Sequence, residues 1–333
     1  MTEDSLLHLR RLYLQAVPAA KIPFDSILPA PVDGAFQQRL YNTVLSKDAT
    51  APHPPAGAYT RRFLKFLVDA VQQRLAEDEE IDGDILALYA GLLSSSDYSN
   101  DLIKPAYITY LLPSTYTLSD PKITISERNS LLSADGHTGS RTWEAALALG
   151  EHFLTSPPSL ARPLSESRVL ELGAGTAFAS ILLSKLRANY VLATDGDERV
   201  CEAIRTNIDL NVPAAGSDGY IAVSQLLWGA SQADNSIYSQ PWDLIIGGDI
   251  TYDITDLSDL VYTISRLLQC SSERGAVAII SATVRNKDTI REFEAQLALV
   301  GLTFYVKQVE DDGRRLWYYG STSPIRIYTI SLA

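Results

Sequence analysis

The chain of 333 residues is 46% hydrophobic and carries a formal charge of -12, which allows one large core, or a core plus a smaller domain, and excludes a disordered chain. The acidic balance argues against general attraction to nucleic acid or an anionic membrane surface and suits a cationic partner better. Its two cysteines, Cys201 and Cys270, both fall in predicted helices, so neither a disulfide framework nor metal-ligand spacing is present and a reducing compartment is implied.

From the N-terminus, Glu3, Asp4 and the Arg10-Arg11 pair leave no signal-peptide core before "AVPAA", and no apolar run reaches the roughly 18 residues that span a bilayer, so the chain reads as cytoplasmic. Leu6, Leu9, Tyr13 and Val17 recur at the spacing of a short amphipathic helix. A second helix is predicted from Tyr59, with Phe63, Phe66, Leu67, Ala70 and Val71 on its apolar face. The acidic run Glu77 to Asp84 reads as a solvated loop. Leu86, Tyr89, Leu92 and Leu93 predict another helix before a Ser/Asp/Asn-rich stretch at 94–101. Residues 1–135 therefore read as a mainly helical N-terminal region.

Residues 136–333 alternate instead. After a helix near 142–154 and the linker "SPPSLARP", strands are predicted near 168–172, 190–194, 219–225, 242–247 and 276–282. Helices are predicted between them near 176–187, 197–209, 255–269 and 286–300. Such alternation predicts an α/β fold, a parallel sheet covered on both faces. Two last runs, "TFYVKQV" at 303–309 and "IRIYTISL" at 325–332, flank a polar loop containing Asp311-Asp312-Gly313 and predict an antiparallel pair at the sheet edge, making seven strands.

The stretch "SRVLELGAGTAFASILLSKL" (167–186) reads as strand, tight turn and helix. A dinucleotide fingerprint would need glycine three positions after Gly175, where this chain has Phe178, so a nicotinamide-dependent oxidoreductase is disfavoured. What the chain does carry is Glu171 in the strand, the bare backbone of Gly173-Ala174-Gly175, and Asp195 at the tip of the next strand. Glycines let a ligand approach the main chain, and an acid at that tip can accept from both hydroxyls of a ribose; capping of the following helix is the structural role expected of Asp195 and can coexist with ribose binding. "WDLIIGGDITYD" then brings Asp249 and Tyr252 to the end of the fourth strand. In a parallel sheet Gly173, Asp195 and Asp249 all fall on the carboxyl edge, where ligands bind.

"LELGAGTAF" and "TDGD" resemble the glycine motif and ribose acid of the seven-strand, class I (Rossmann-like) S-adenosylmethionine-dependent methyltransferases. The D-x-x-Y motif Asp249-Ile250-Thr251-Tyr252 resembles that of the branch that methylates lysine in non-histone proteins. "HTGSRTWEAALALGEHF" (137–153) is similar to the opening helix of that branch, with Trp143 at a cofactor-contacting position. Trp228 matches the tryptophan that flanks the adenine and Gly248 the small residue beside it. Where many relatives carry an acid directly before that tryptophan, this chain has Leu227. The resemblance covers residues 137–331 and implies S-adenosylmethionine as cofactor. The helical region ahead of it, with "AYTRRFLKFLVDAVQQRL" and "DGDILALYAGLL", resembles the type whose substrate is eukaryotic translation elongation factor 2. That likeness implies a monomer whose N-terminal region recognises a protein, with no metal.

Methyl transfer from a sulfonium to an amine needs alignment and exclusion of water more than a covalent nucleophile. A lysine has to lose its proton first, its ordinary pKa being about 10.4. Asp249 and Tyr252 are the expected groups to orient the amine. His8, His53, His137 and His152 give little support for a general base, and the last two read as surface residues. A small-molecule N-methyltransferase and a non-catalytic binding module on the same fold remain alternatives at this level.

Overall fold

The computed structural model describes residues 2–94, 105–113, 118, 120–127, 139, 141–212, 220–229, 236–310 and 315–333. His137, Thr138, the Asp311-Asp312-Gly313 loop and most of the 94–101 stretch lie outside the described residues. The chain divides into two compact units, Met1–Thr115 with Thr124–Gly136, and Tyr116–Ile123 with His137–Ala333.

In the first unit, helices α1 (Thr2–Leu14), α2 (Gly34–Leu40), α3 (Gly57–Gln72) and α4 (Gly83–Ser94) enclose a small core. Leu6, Leu9, Tyr13, Phe63, Leu64 and Leu67 are buried in it, with the rings of Tyr13 and Phe63 4.5 Å apart and Tyr13 Oη sharing a hydrogen bond with Thr60 Oγ1 at 3.0 Å. Asp33 caps α2 by accepting from the Phe36 amide. Gln37, fully buried, donates to the Glu80 carbonyl at 2.9 Å and accepts from the Asp82 amide at 2.9 Å, which pins the acidic loop to α2.

Helical periodicity predicts this unit only in part. Val17 is buried but lies beyond α1, which ends at Leu14, with Ala16 at φ 53° turning the chain. Phe66, expected on the apolar face of α3, is exposed, as are Leu86 and Leu93 on α4, which buries Ile85 instead. The region is also not purely helical: β1 (Ala106–Leu111) and β2 (Lys122–Glu127) form a two-stranded sheet, with buried Thr109 and Thr124 hydroxyls 3.0 Å apart. Both strands are as long as some strands of the second unit but stand outside the regular strand–helix alternation that marks that unit.

The second unit begins with α5 (Glu144–Thr155) and continues as β3 (Arg168–Glu171), α6 (Phe178–Lys185), β4 (Tyr190–Asp195), α7 (Glu198–Asn211) and β5 (Tyr220–Gln225). It ends with β6 (Leu244–Gly248), α8 (Leu257–Cys270), β7 (Val277–Thr283), α9 (Lys287–Leu299), β8 (Leu302–Val309) and β9 (Ile325–Leu332). The seven strands lie in the order β5-β4-β3-β6-β7-β9-β8. The first five are parallel, and β9 runs antiparallel to both β7 and β8. The antiparallel pair expected at the edge is therefore present, with β9 inserted and β8 outermost.

Both faces of the sheet are covered, as near-continuous apolar strands require. Leu149 and Phe153 of α5 and Ala179 and Leu183 of α6 pack on Val169, Val191, Leu244, Ile246 and Ile279. On the opposite face, Leu260, Ile264 and Leu267 of α8 and Phe293 of α9 pack on Leu170, Ile245, Ile280 and Tyr328. His152 is half-buried rather than a surface residue, and burial, then Lys307, lowers its pKa. The chain leaves β3 toward β4 and β5 and returns to β6 on the other side, so the topological switch point falls between β3 and β6. Ligand crevices form outside the carboxyl ends of strands at such a point.

Candidate active site

Strand alternation places Glu171 on the same face as Val169, toward α6. There its carboxylate accepts from the Ser180 amide at 2.9 Å and from the Ser180 hydroxyl, bracing the first turn of α6. Burial drives its pKa up to about 7, opposed by the two Ser180 bonds and reinforced by Asp195. Glu171 thus sits behind the glycine turn, facing inward.

The chain then reverses through three left-handed residues, Gly173 (φ 57°), Gly175 (φ 54°) and Ala177 (φ 60°). At Gly173 a Cβ would lie 2.7 Å from Ile250 Cγ2 and 3.4 Å from Trp228 Cζ2, so only glycine fits. At Gly175 the requirement is the backbone conformation itself, which L side chains adopt only with strain; the nearest atom there is Gly139 Cα, 3.6 Å from a built Cβ. The Ala174 amide donates to the Thr194 carbonyl at 2.8 Å, and the hydroxyls of Thr142 and Thr176, 2.8 Å apart, tie the residue preceding Trp143 to the turn.

Asp195 closes the turn from β4. Its Oδ2 accepts from the Gly175 amide and its Oδ1 from the Asp197 amide, each at 3.2 Å. The cap of α7 is Asp197, which accepts from the Arg199 amide; the capping role expected of Asp195 therefore does not hold. With the Gly196 amide bonding to it as well, three amides take up three of the roughly four acceptor sites of the carboxylate and about one remains. Burial raises its pKa, against the amides of Asp197, Gly175 and Gly196. Trp228, half-buried against the core, stands beside Gly173, with Leu227 exposed ahead of it.

A second group gathers at the end of β6. Gly248 is required by packing, since a Cβ there would sit 2.8 Å from Ala146 Cα in the first turn of α5. Asp249 follows in the left-handed region, at φ 63°, and is buried. Its amide donates to the Ser281 carbonyl at 2.7 Å. Oδ1 accepts from the Thr283 amide at 3.1 Å, and Oδ2 accepts from Arg285 Nη2 at 2.6 Å. Trp143, the residue before α5, lies under two guanidiniums: Arg285 at 5.0 Å and Arg141 at 4.7 Å from the ring centroid. Arg141 in turn pairs with buried Glu144 at 3.2 Å. Tyr252 is exposed on the loop beyond, and Ile250 packs beneath Gly173, linking the two groups.

Sequence reasoning passed over Arg285, Arg141, Glu144, Ser281 and Thr283. The signal available was position: "SATVR" runs off the carboxyl end of the fifth parallel strand onto the same edge. The Ser281 and Thr283 hydroxyls are buried with no hydrogen-bond partner among the described residues.

The seven-strand order, the left-handed glycine turn after the central strand and the acid at the tip of its neighbour together define a class I methyltransferase. Bare main chain, an acceptor site on Asp195 and an indole beside the turn are the features a nucleoside-bearing sulfonium cofactor needs, and S-adenosylmethionine is the cofactor of this class.

Residues 119–297 match the family model described as lysine methyltransferase. The chain is 33% identical over 294 residues to the protein-lysine N-methyltransferase EFM3 of Chaetomium thermophilum, covering 85% of this chain and 84% of that one. It is 28% identical over 319 residues to the protein-lysine N-methyltransferase EEF2KMT of Homo sapiens, covering 92% and 91%. The chain belongs to the lysine methyltransferase family and is an S-adenosylmethionine-dependent protein-lysine N-methyltransferase. Among the described residues no helix is long and apolar enough to cross a membrane, and no group of three or more His, Cys, Asp or Glu could hold a metal ion.

Proposed function

We propose that the enzyme, working as a monomer in the cytoplasm, methylates a lysine of translation elongation factor 2, with Asp249 and Tyr252 orienting the amine. The observation that carries the substrate reading is the span of the match to the protein named EEF2KMT. It runs over 92% of this chain and so takes in the N-terminal region as well as the sheet. Residues 1–135 would supply the surface that selects the substrate. A lone lysine side chain offers little area, whereas choosing one lysine among many needs an interface of roughly 1,200–2,000 Å².

On this reading the main chain of Gly173, Ala174 and Gly175 would line the cofactor, and Asp195 would accept from the ribose at its remaining acceptor site. Trp228, beside Gly173, would flank the adenine with the small residue Gly248, Trp143 would contribute a further wall of the site, and Glu171 keeps the turn in place from behind. When bound, S-adenosylmethionine supplies a methyl group on a sulfonium: the lysine nitrogen's lone pair forms the N–C bond as the C–S bond breaks and sulfur keeps its electron pair. The chain's own contribution is alignment. Asp249, fixed by the Thr283 amide and Arg285, faces the nitrogen. Tyr252, on the exposed loop after β6, offers its hydroxyl at the mouth, and the amine's proton leaves to water.

Incubating the pure enzyme with methyl-labelled cofactor and a cytosolic extract, followed by mass spectrometry of the labelled band, tests the substrate. Label on elongation factor 2, and loss of that methylation in cells lacking the enzyme, is the expected result. If every lysine methylation on the factor persists in those cells, the substrate is another protein.

A further inference from the structure

We infer that Arg285 is a positioning residue that neutralises Asp249, so that the acceptor lysine is held beside it as the free amine; this rests on the reading that Asp249 faces that lysine. The difficulty it answers is chemical. A bare carboxylate attracts a lysine cation but also stabilises the ammonium, and only the neutral amine attacks. The Asp249 side chain is 3% exposed and bonded to Arg285 at 2.6 Å, while Arg285 is 40% exposed and lies on Trp143. The pair therefore carries no net charge at the mouth of the site, and the planar guanidinium is held by the indole as well as by the carboxylate.

The charged and titratable groups around Asp249 fit this balance. From α5 and the residues just before it come Arg141 and Glu144, themselves paired at 3.2 Å. Its own loop carries Tyr252 and Asp253. The segment before β9 passes Glu144, a Cβ on Gly320 lying 3.3 Å from its Oε1, while its Arg315, stacked on Tyr319 at 4.3 Å, and Tyr319 itself both interact with Glu151 of α5. Across the switch point Glu171 is bonded to Ser180, and Asp195 to the Gly175 and Asp197 amides. Arg285 is thus the cation bonded to Asp249. Beside the pair, the buried hydroxyls of Ser281 and Thr283 have no partner among the described residues, and so leave acceptor capacity for the hydrogens of a neutral amine.

The test is the single-turnover rate of methyl transfer as a function of pH. It uses the full-length enzyme and elongation factor 2, or whichever extract protein the assay above labels. Removing the Arg285 charge leaves one net negative charge by the amine, which strengthens its hold on the proton. Arg285→Gln should therefore move the midpoint of the rate upward by about one pH unit or more, slow transfer at neutral pH, recover at high pH, and leave KM unchanged or lower. Arg285→Lys keeps the charge but not the flat stack, so its midpoint should match the parent with a reduced plateau. A Gln variant with an unmoved midpoint and a rate lowered equally at every pH overturns the inference and leaves Arg285 structural. If the Gln variant fails to fold, a Lys variant whose midpoint moves up overturns it equally. Asp249→Asn separates the two levels: parental turnover there removes the role of Asp249 itself, whereas loss of turnover with an unmoved Arg285→Gln midpoint removes only the inference.

Discussion

Two buried aspartates bracket β6, and they are built differently. Asp243, at the amino end, accepts from the Arg168 amide at 2.8 Å, has Arg274 Nη1 within 2.9 Å of both oxygens and Arg162 at 3.6 Å. Arg168 itself lies over Tyr190 and Trp242. Asp249, at the carboxyl end, has one guanidinium, one amide and a left-handed backbone. At the amino edge the carboxylate is enclosed by cations and locks the strands together. At the carboxyl edge it is held in a costly conformation, of order 1–3 kcal/mol for such a residue, beside hydroxyls that have no partner among the described residues. The same residue type serves the fold at one end of the strand and, on the reading proposed above, the substrate at the other.

The contrast breaks most sharply at Asp243. Asp243→Ala leaves the Arg168 amide without its acceptor and two partly solvated guanidiniums without their counter-ion, and should cost about 1–3 kcal/mol of stability, read by denaturant titration. Cofactor affinity per folded molecule, measured by calorimetry at low temperature, should stay unchanged. Asp249→Asn should do the reverse. A drop in single-turnover rate of about 100-fold or more is expected, with cofactor affinity nearly parental, since the group acts on the transferring state rather than on cofactor binding; equal losses in both would make it a cofactor ligand.

Two smaller effects sharpen the comparison at the neighbouring acids. Asp195→Ala should weaken S-adenosylmethionine binding by about 1–3 kcal/mol in calorimetry, the cost of leaving buried donors unpaired; parental affinity would leave Asp195 as a brace for the Gly175 amide alone. Glu171 is bonded by Ser180 rather than by a guanidinium, and its pKa stands at about 7 against an ordinary 4.5. The folded state therefore binds more protons than the unfolded one between those values, so this residue's contribution to stability falls as pH rises from 4.5 to 7 and is flat above. Glu171→Gln should remove that slope and gain about 1–2 kcal/mol at pH 8, measured by thermal melts across pH 5 to 8. A parental slope in the variant would mean the carboxylate is compensated in a way its contacts do not reveal.

The placement of these residues on the carboxyl edge was readable from one strand at a time. Gly173, Gly175, Asp195 and Asp249 announce themselves because turns and strand ends put special backbone conformations and acids at fixed offsets from apolar runs. Alternation alone could also have turned Glu171 inward, since it shares a face with Val169. Arg285 could not be found in that way: its meaning comes from a carboxylate 36 residues earlier and an indole much further back, and nothing in "TVRNK" distinguishes it from a solvated arginine.

Local pattern sufficed for the seven strands and the helices between them, because burial on two faces writes short apolar runs and helical stripes directly into the chain. It did not suffice for β9 lying between β7 and β8, for the small sheet of β1 and β2, or for exposed Phe66 on α3, because strand pairing and helix packing depend on which surfaces meet. The same division runs through the site. Residue identity set which groups could bind or orient a ligand, whereas the pairing of Asp249 with Arg285, the enclosure of Asp243 and the capping of α7 by Asp197 rather than Asp195 followed from distances that only the folded chain establishes.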